Sequence, residues 1–158
     1  MLLVKRIGFW AAWPALYFYL SLSERSRVLI LDDDRALLVK GRWSWLFGDM
    51  SYGLAGGGIR RGEEPKSAAV RELAEELGLR AETEELHFLR KTQIRQQGLT
   101  YTAQLFALKI DQTTEFHRQS SEITEARWVA IAELDTLAVK PEVLIALQAW
   151  SQSTPLVQ

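Results

Sequence analysis

The 158-residue chain has no cysteine, and that absence removes disulfides, thiolate metal sites and cysteine nucleophiles together. It fits a reducing compartment, and the cytoplasm is the expected location. Charge imbalance is missing too: 19 basic residues against 20 acidic ones leave a net charge of −1. A balanced sum gives no whole-protein attraction to a nucleic-acid backbone or an anionic bilayer, so no stable nucleic-acid complex is expected. Histidine is scarce, and His87 and His117 stand alone, without the spacing of ligands or catalytic partners. Repeats, low-complexity tracts and linkers are also lacking. What remains is one domain long enough to bury a single core, with the 47% apolar and 25% charged content of an ordinary globular protein.

No uncharged apolar run is long enough to span a bilayer. The nearest candidate follows Lys5 and Arg6 and covers the 16 residues 7–22, rich in Trp, Tyr and Phe; a span needs ~20. It has the outline of a signal peptide, yet no small-x-small cleavage site follows it. Residues 1–24 therefore read as an aromatic-rich helix packing on the domain or on a partner, for which a second copy of the chain is the simplest choice. Trp10, Trp13, Tyr17 and Tyr19 would also suit a peripheral helix at a membrane surface, a reading that ranks behind packing.

Further on, residues 27–31 and 36–40 are β-rich runs around Asp32-Asp33-Asp34, a hairpin signal in which aspartate serves the turn. An aromatic loop with Trp43, Trp45 and Phe47 leads to Tyr52-Gly-Leu-Ala-Gly-Gly-Gly58. A helix is then expected from Pro65, preceded by Glu63 and Glu64, to Leu77, with Gly78 as its stop and Ala69, Leu73 and Leu77 on its buried stripe. Extended chain is expected over 86–95, 99–110 and 125–129, a helical turn at 131–134, and a last helix from Pro141 to Trp150. Val143, Leu144, Leu147 and Trp150 would form its apolar side. Strands and helices mix without strict alternation, which predicts a mixed sheet between helices.

The chemistry concentrates on the first of these helices. Glu72, Glu75 and Glu76 stand at i, i+3 and i+4, on one helical face with Cβ atoms about 5–6 Å apart. Three carboxylates so placed repel one another, and a hard divalent cation with oxygen ligands turns that repulsion into binding. The ordinary alternative is a solvated acidic face beside Arg71 and Lys66. Around this trio the chain runs Gly57, five residues, Glu63, seven residues, then Arg71-Glu-Leu-Ala-Glu-Glu-Leu-Gly-Leu79. This resembles the Nudix box, G-x5-E-x7-R-E-U-x-E-E-x-G-U with U aliphatic, at every specified position. Outside the box, residues 52–57 resemble the family's W-x-L-P-G-G, with Tyr52 for tryptophan and Ala55 for proline. Glu122-Ile-Thr-Glu-Ala-Arg-Trp128 resembles its E-x-x-E-x-x-W element.

The resemblance implies an α/β fold: a Nudix-type α/β/α sandwich with a mixed sheet over residues 25–158, to which the aromatic N-terminal helix is extra. It implies hydrolysis of a phosphoanhydride bond in a nucleoside diphosphate linked to another moiety, with Mg²⁺ as cofactor and Mn²⁺ able to substitute. The other reading is a catalytically weak nucleotide-binding or scaffold protein of the same fold. By resemblance Glu72, Glu75, Glu76, Glu122 and the Gly57 carbonyl would ligate metal, Glu75, Glu76 or Glu122 would serve as base, and Glu63 with Arg71 would tie loop to helix. Glu115, Glu125 and Asp111 rival Glu122. Trp43, Trp45, Arg60 and Tyr101 are the candidate substrate contacts; Arg42, Arg61 and Gln104 are weaker ones. Marks of particular substrates, such as the S-Q-P-W-P-x-S of NADH-cleaving members, are absent, so the box names chemistry and not substrate.

Overall fold

A computed structural model describes residues 23–42, 50–96, 99–111, 114–117 and 121–153. Residues 1–22 of the expected N-terminal helix, with Trp43, Trp45 and Phe47, lie outside these residues, and Glu24, the expected end of that helix, opens a strand instead. Among the described residues five strands form one mixed sheet: β1 (Glu24–Asp32), β2 (Arg35–Gly41), β3 (His87–Gln96), β4 (Leu99–Lys109) and β5 (Ile123–Ala130). Their order is β3-β4-β1-β2-β5. β1 runs parallel to β4, and the other neighbouring pairs are antiparallel. The Asp32–Asp34 segment is the β1–β2 turn, where Asp33 takes φ 47° and Asp32 pairs with Arg35. This matches the liking of aspartate for turns.

β1 carries an unbroken buried run, Val28 to Leu31, because both faces of the sheet are covered. Val28 and Ile30 face helix α1 (Pro65–Leu77), packing with Leu37, Val39, Ala69, Leu73 and Leu77. Leu29 and Leu31 face helix α2 (Pro141–Ser153), packing with Leu38, Leu54, Leu105, Val143 and Ala146. The period of two thus splits one strand between two cores, giving the α/β/α sandwich. Among the described residues no helix is long and apolar enough to cross a membrane.

α1 starts at Pro65 and ends in a left-handed Gly78 at φ 66°, whose N–H reaches the Ala74 carbonyl while Leu79 N–H reaches that of Leu73. These two bonds close the last turn of the helix. In α2 one expectation is corrected. Leu144 is half exposed, and the buried positions are Glu142, Val143 and Ala146. The helix is turned so that Ala146 meets the sheet, and a carboxylate is buried one residue from where the apolar stripe was expected.

The segment after residue 52 positions the site. β1 and β2 pair directly only from Ile30 to Asp32 against Arg35 to Leu37. Below that they splay, and residues 53–59 fill the gap. Gly53 exchanges backbone bonds with Val39, Ala55 accepts from Val28, Gly57 accepts from Ser26, and Ile59 donates to Glu24. Gly56 sits at φ 126°, and a Cβ there would lie 2.3 Å from the Ser26 carbonyl oxygen. No L side chain fits both conditions. Gly56→Ala is therefore expected to lose at least about 2 kcal/mol of stability, read from urea unfolding; a loss under about 0.5 kcal/mol would contradict the assigned backbone.

Candidate active site

Because residues 53–59 are stitched to β1, the glycine run is held against the acidic face of α1. A Cβ on Gly57 would stand 2.5 Å from the Glu72 carboxylate, so the missing side chain is what lets helix and loop meet. Gly56 N–H donates to Glu76 Oε2 at 2.8 Å. Arg71 binds the same loop from the helix. Its Nε and Nη2 donate to the two Glu63 oxygens at 2.8 and 3.0 Å, and Nη2 also reaches the Gly58 carbonyl at 3.0 Å. Nη1 donates to Glu72 at 2.7 Å and to Glu75 at 3.2 Å. Glu63 further accepts from Arg60 N–H at 2.8 Å. A planar guanidinium is suited to such many-sided work, where an ammonium would satisfy fewer partners.

A cleft of about 400 Å³ opens over this arrangement, and Glu72, Glu75, Glu76 and Glu122 all line it, with Arg60, Arg71 and Ile59. Their environments differ. Glu75 is half exposed, whereas Glu76 is 9% exposed. Burial raises the Glu76 carboxyl to about 7 and the Glu72 and Glu122 charges add to it, against the Gly56 N–H and the Arg27 charge. Glu63 goes the other way, to about 2, because the Arg71 hydrogen bonds and the Arg60 N–H favour its ionised form.

Of the rivals of Glu122, none lines the cleft. Glu125 accepts the Tyr52 hydroxyl at 2.6 Å and pairs with Lys40, and Glu115 is exposed beside an exposed His117. His87 packs against Trp150. Arg60 reaches the cleft, with a long 3.4 Å contact to Glu75.

One candidate is placed differently from expectation. Tyr101 is 8% exposed and belongs to the core under α2, across the sheet from the acidic face of α1. Odd positions of β4 face that way, so Tyr101 is a core residue and not a substrate contact. The Gly57 carbonyl accepts the Ser26 N–H, which leaves its second lone pair for an ion. The neighbouring glycine carbonyls each accept one bond as well, that of Gly56 from Arg27 and that of Gly58 from Arg71. Sequence reasoning missed Arg27 and Glu142. The available signal was phase: Arg27 alternates with Leu29 and Leu31, and Glu142 precedes Ala146 by one helical turn.

The donor set suits a hard divalent cation, being oxygen alone from four carboxylates around one cleft. As the side chains stand, no three acidic or histidine groups among the described residues converge on a single point. Arg71 takes up Glu72 and Glu75 instead, and ligation would exchange these contacts for the ion.

With a folded pKa about 7 against an ordinary 4.5, Glu76 favours the folded state fully below pH 4.5, and that contribution is lost as pH rises through 7. In chelator, Glu76→Gln is expected to melt above the wild type at pH 8, by up to about 3 kcal/mol, with the difference closing by pH 4.5. Equal melting curves at pH 8 would show that Glu76 is not penalised by its burial.

The NUDIX domain family matches residues 23–148 of the chain. No curated protein matches it by sequence. Among solved structures, the MutT NUDIX hydrolase from Burkholderia pseudomallei superposes with a TM-score of 0.67 at 23% identity, covering 80% of this chain and 96% of that one. An Ap4A hydrolase from C. elegans gives a TM-score of 0.66 at 16% identity, covering 83% and 96%. A bifunctional NMN adenylyltransferase/ADP ribose pyrophosphatase from Francisella tularensis gives 0.71 at 13% identity, covering 95% of this chain and 47% of its own; it is also known complexed with AMP and Mn ion. With the family match extending over most of the chain, and with loop, helix and carboxylates disposed as described, the chain belongs to the NUDIX family of hydrolases.

Proposed function

We propose that the chain hydrolyses a phosphoanhydride bond in a nucleoside diphosphate linked to another moiety, with Mg²⁺ as its ion and Mn²⁺ as a substitute. The observation that carries this reading is the convergence of Glu72, Glu75, Glu76 and Glu122 on one cleft, with the proton affinity of Glu76 raised by burial and by its acidic neighbours. Such a cleft repels an anionic substrate unless cations enter with it, and a diphosphate arrives with its own need for divalent ions. The two relatives named for a substrate act on Ap4A and on ADP ribose, both nucleotides joined to a second moiety through phosphates.

Glu72, Glu75, Glu76, Glu122 and the Gly57 carbonyl would hold the ions. Bound there, Mg²⁺ supplies charge neutralisation for the diphosphate and makes a coordinated water more acidic. The chain itself orients and accepts. Arg71 keeps the helix carboxylates in register with the glycine loop through Glu63 and the Gly58 carbonyl. Glu122, or one of Glu75 and Glu76, takes the proton of the attacking water. The exposed Arg60 at the rim can donate to phosphate oxygens as they enter, whereas Glu75 beside it would meet them only through an ion. Positioning and electrostatics dominate such chemistry, since little covalent work falls to the protein.

Glu76→Gln is expected to lower turnover at least about a hundredfold at saturating Mg²⁺ while preserving the fold. A panel of nucleoside diphosphate-linked compounds, read by product mass, provides the assay. Near-normal turnover in that variant would remove Glu76 from the mechanism, and a wild type inert on the whole panel with either ion would overturn the reading.

A further inference from the structure

Beneath the cleft lies a second charged group that the hydrolytic reading leaves unused. Arg27 is in phase with Leu29 and Leu31, so its side chain enters the layer between sheet and α2, and its Nε is sealed from solvent. Burial works against its charge, yet Tyr101, Glu142 and Glu76 together hold it firmly protonated. Glu142 is 1% exposed, comes from the first turn of α2, and accepts the Tyr101 hydroxyl at 3.4 Å. A partly buried cation is tolerated when carboxylates lie near it, and here they come from both layers of the sandwich.

The other end of the guanidinium does something specific. Its Nη1 donates to the Gly56 carbonyl, and the N–H of Gly56 donates to Glu76. We propose that Arg27 is a positioning residue for Glu76, acting through the Gly56 loop, with Tyr101 and Glu142 fixing the guanidinium from the α2 layer. Gly56, at φ 126°, lies in a region where only glycine is at ease, so nothing in its own side chain restrains it. Arg27 pins the carbonyl, and that in turn aims the N–H of the same residue at the carboxylate. Glu142 and α2 thereby acquire a route to a site on the opposite face of the sheet.

Arg27→Met alone strands two buried carboxylates and invites unfolding; the paired variant Arg27→Met/Glu142→Gln removes the cation with one of its partners. In that variant, confirmed as folded by its melting curve, hydrogen exchange at the Gly56 amide is expected to quicken at least about tenfold. The kinetic readout rests on the function proposed above: kcat should fall about ten- to a hundredfold with nucleotide KM within about twofold. Arg27→Lys, which keeps the charge and one donor, should recover part of both. A folded double variant with wild-type exchange at Gly56 and wild-type kcat would reduce Arg27 to a layer contact and overturn the inference. If the wild type hydrolyses nothing on the panel, the functional reading fails separately, and exchange at Gly56 still decides the role of Arg27.

Discussion

Everything at the site depends on how closely the glycine segment approaches the acidic face of α1. Gly57 lies so near Glu72 that a methyl group would collide with its carboxylate, and Gly56 reaches Glu76 through its N–H. The approach is enforced from both sides. Backbone bonds to β1 hold residues 55–59 in the gap where β1 and β2 part, and the Arg71 fork draws the loop to the helix through Glu63 and Gly58. Either attachment alone would leave a hinge. With both, the carboxylates of a helix and the backbone of a loop share one rigid frame.

That frame sorts acids by environment. Glu63, Glu72, Glu75 and Glu76 stand within fourteen positions of one another in the sequence, yet Glu63 is held ionised by Arg71 while Glu76 is buried enough to resist ionisation. Burial separates groups of one chemical type into a structural anion and a chemically responsive one. A cation in the cleft would reverse the penalty on Glu76, so stability and ligand binding are coupled through that residue.

Much of this was legible in the primary structure because it is written in local spacing. Positions i, i+3 and i+4 must share a helical face, Gly78 must end the helix, and three aspartates between β-rich runs must turn. The departures from the family pattern also found local uses: the Tyr52 hydroxyl binds Glu125, and Ala55 packs fully buried against β1. Leu144 was misplaced because an amphipathic stripe fixes a helical face only to within a residue or so, and packing against the sheet then selects Ala146.

The chain alone determined the acidic helix, its punctuation, the glycine run and the family box, since each is a matter of neighbours within a turn or two. Only the tertiary structure decided that Tyr101 belongs to the opposite core, that each glycine carbonyl accepts one bond, and that Arg27 reaches the Gly56 loop from beneath the cleft. Those facts join residues far apart in sequence. They follow from which strands lie side by side and what covers each face; alternation along a strand says which residues share a face, but spacing carries no record of what that face meets.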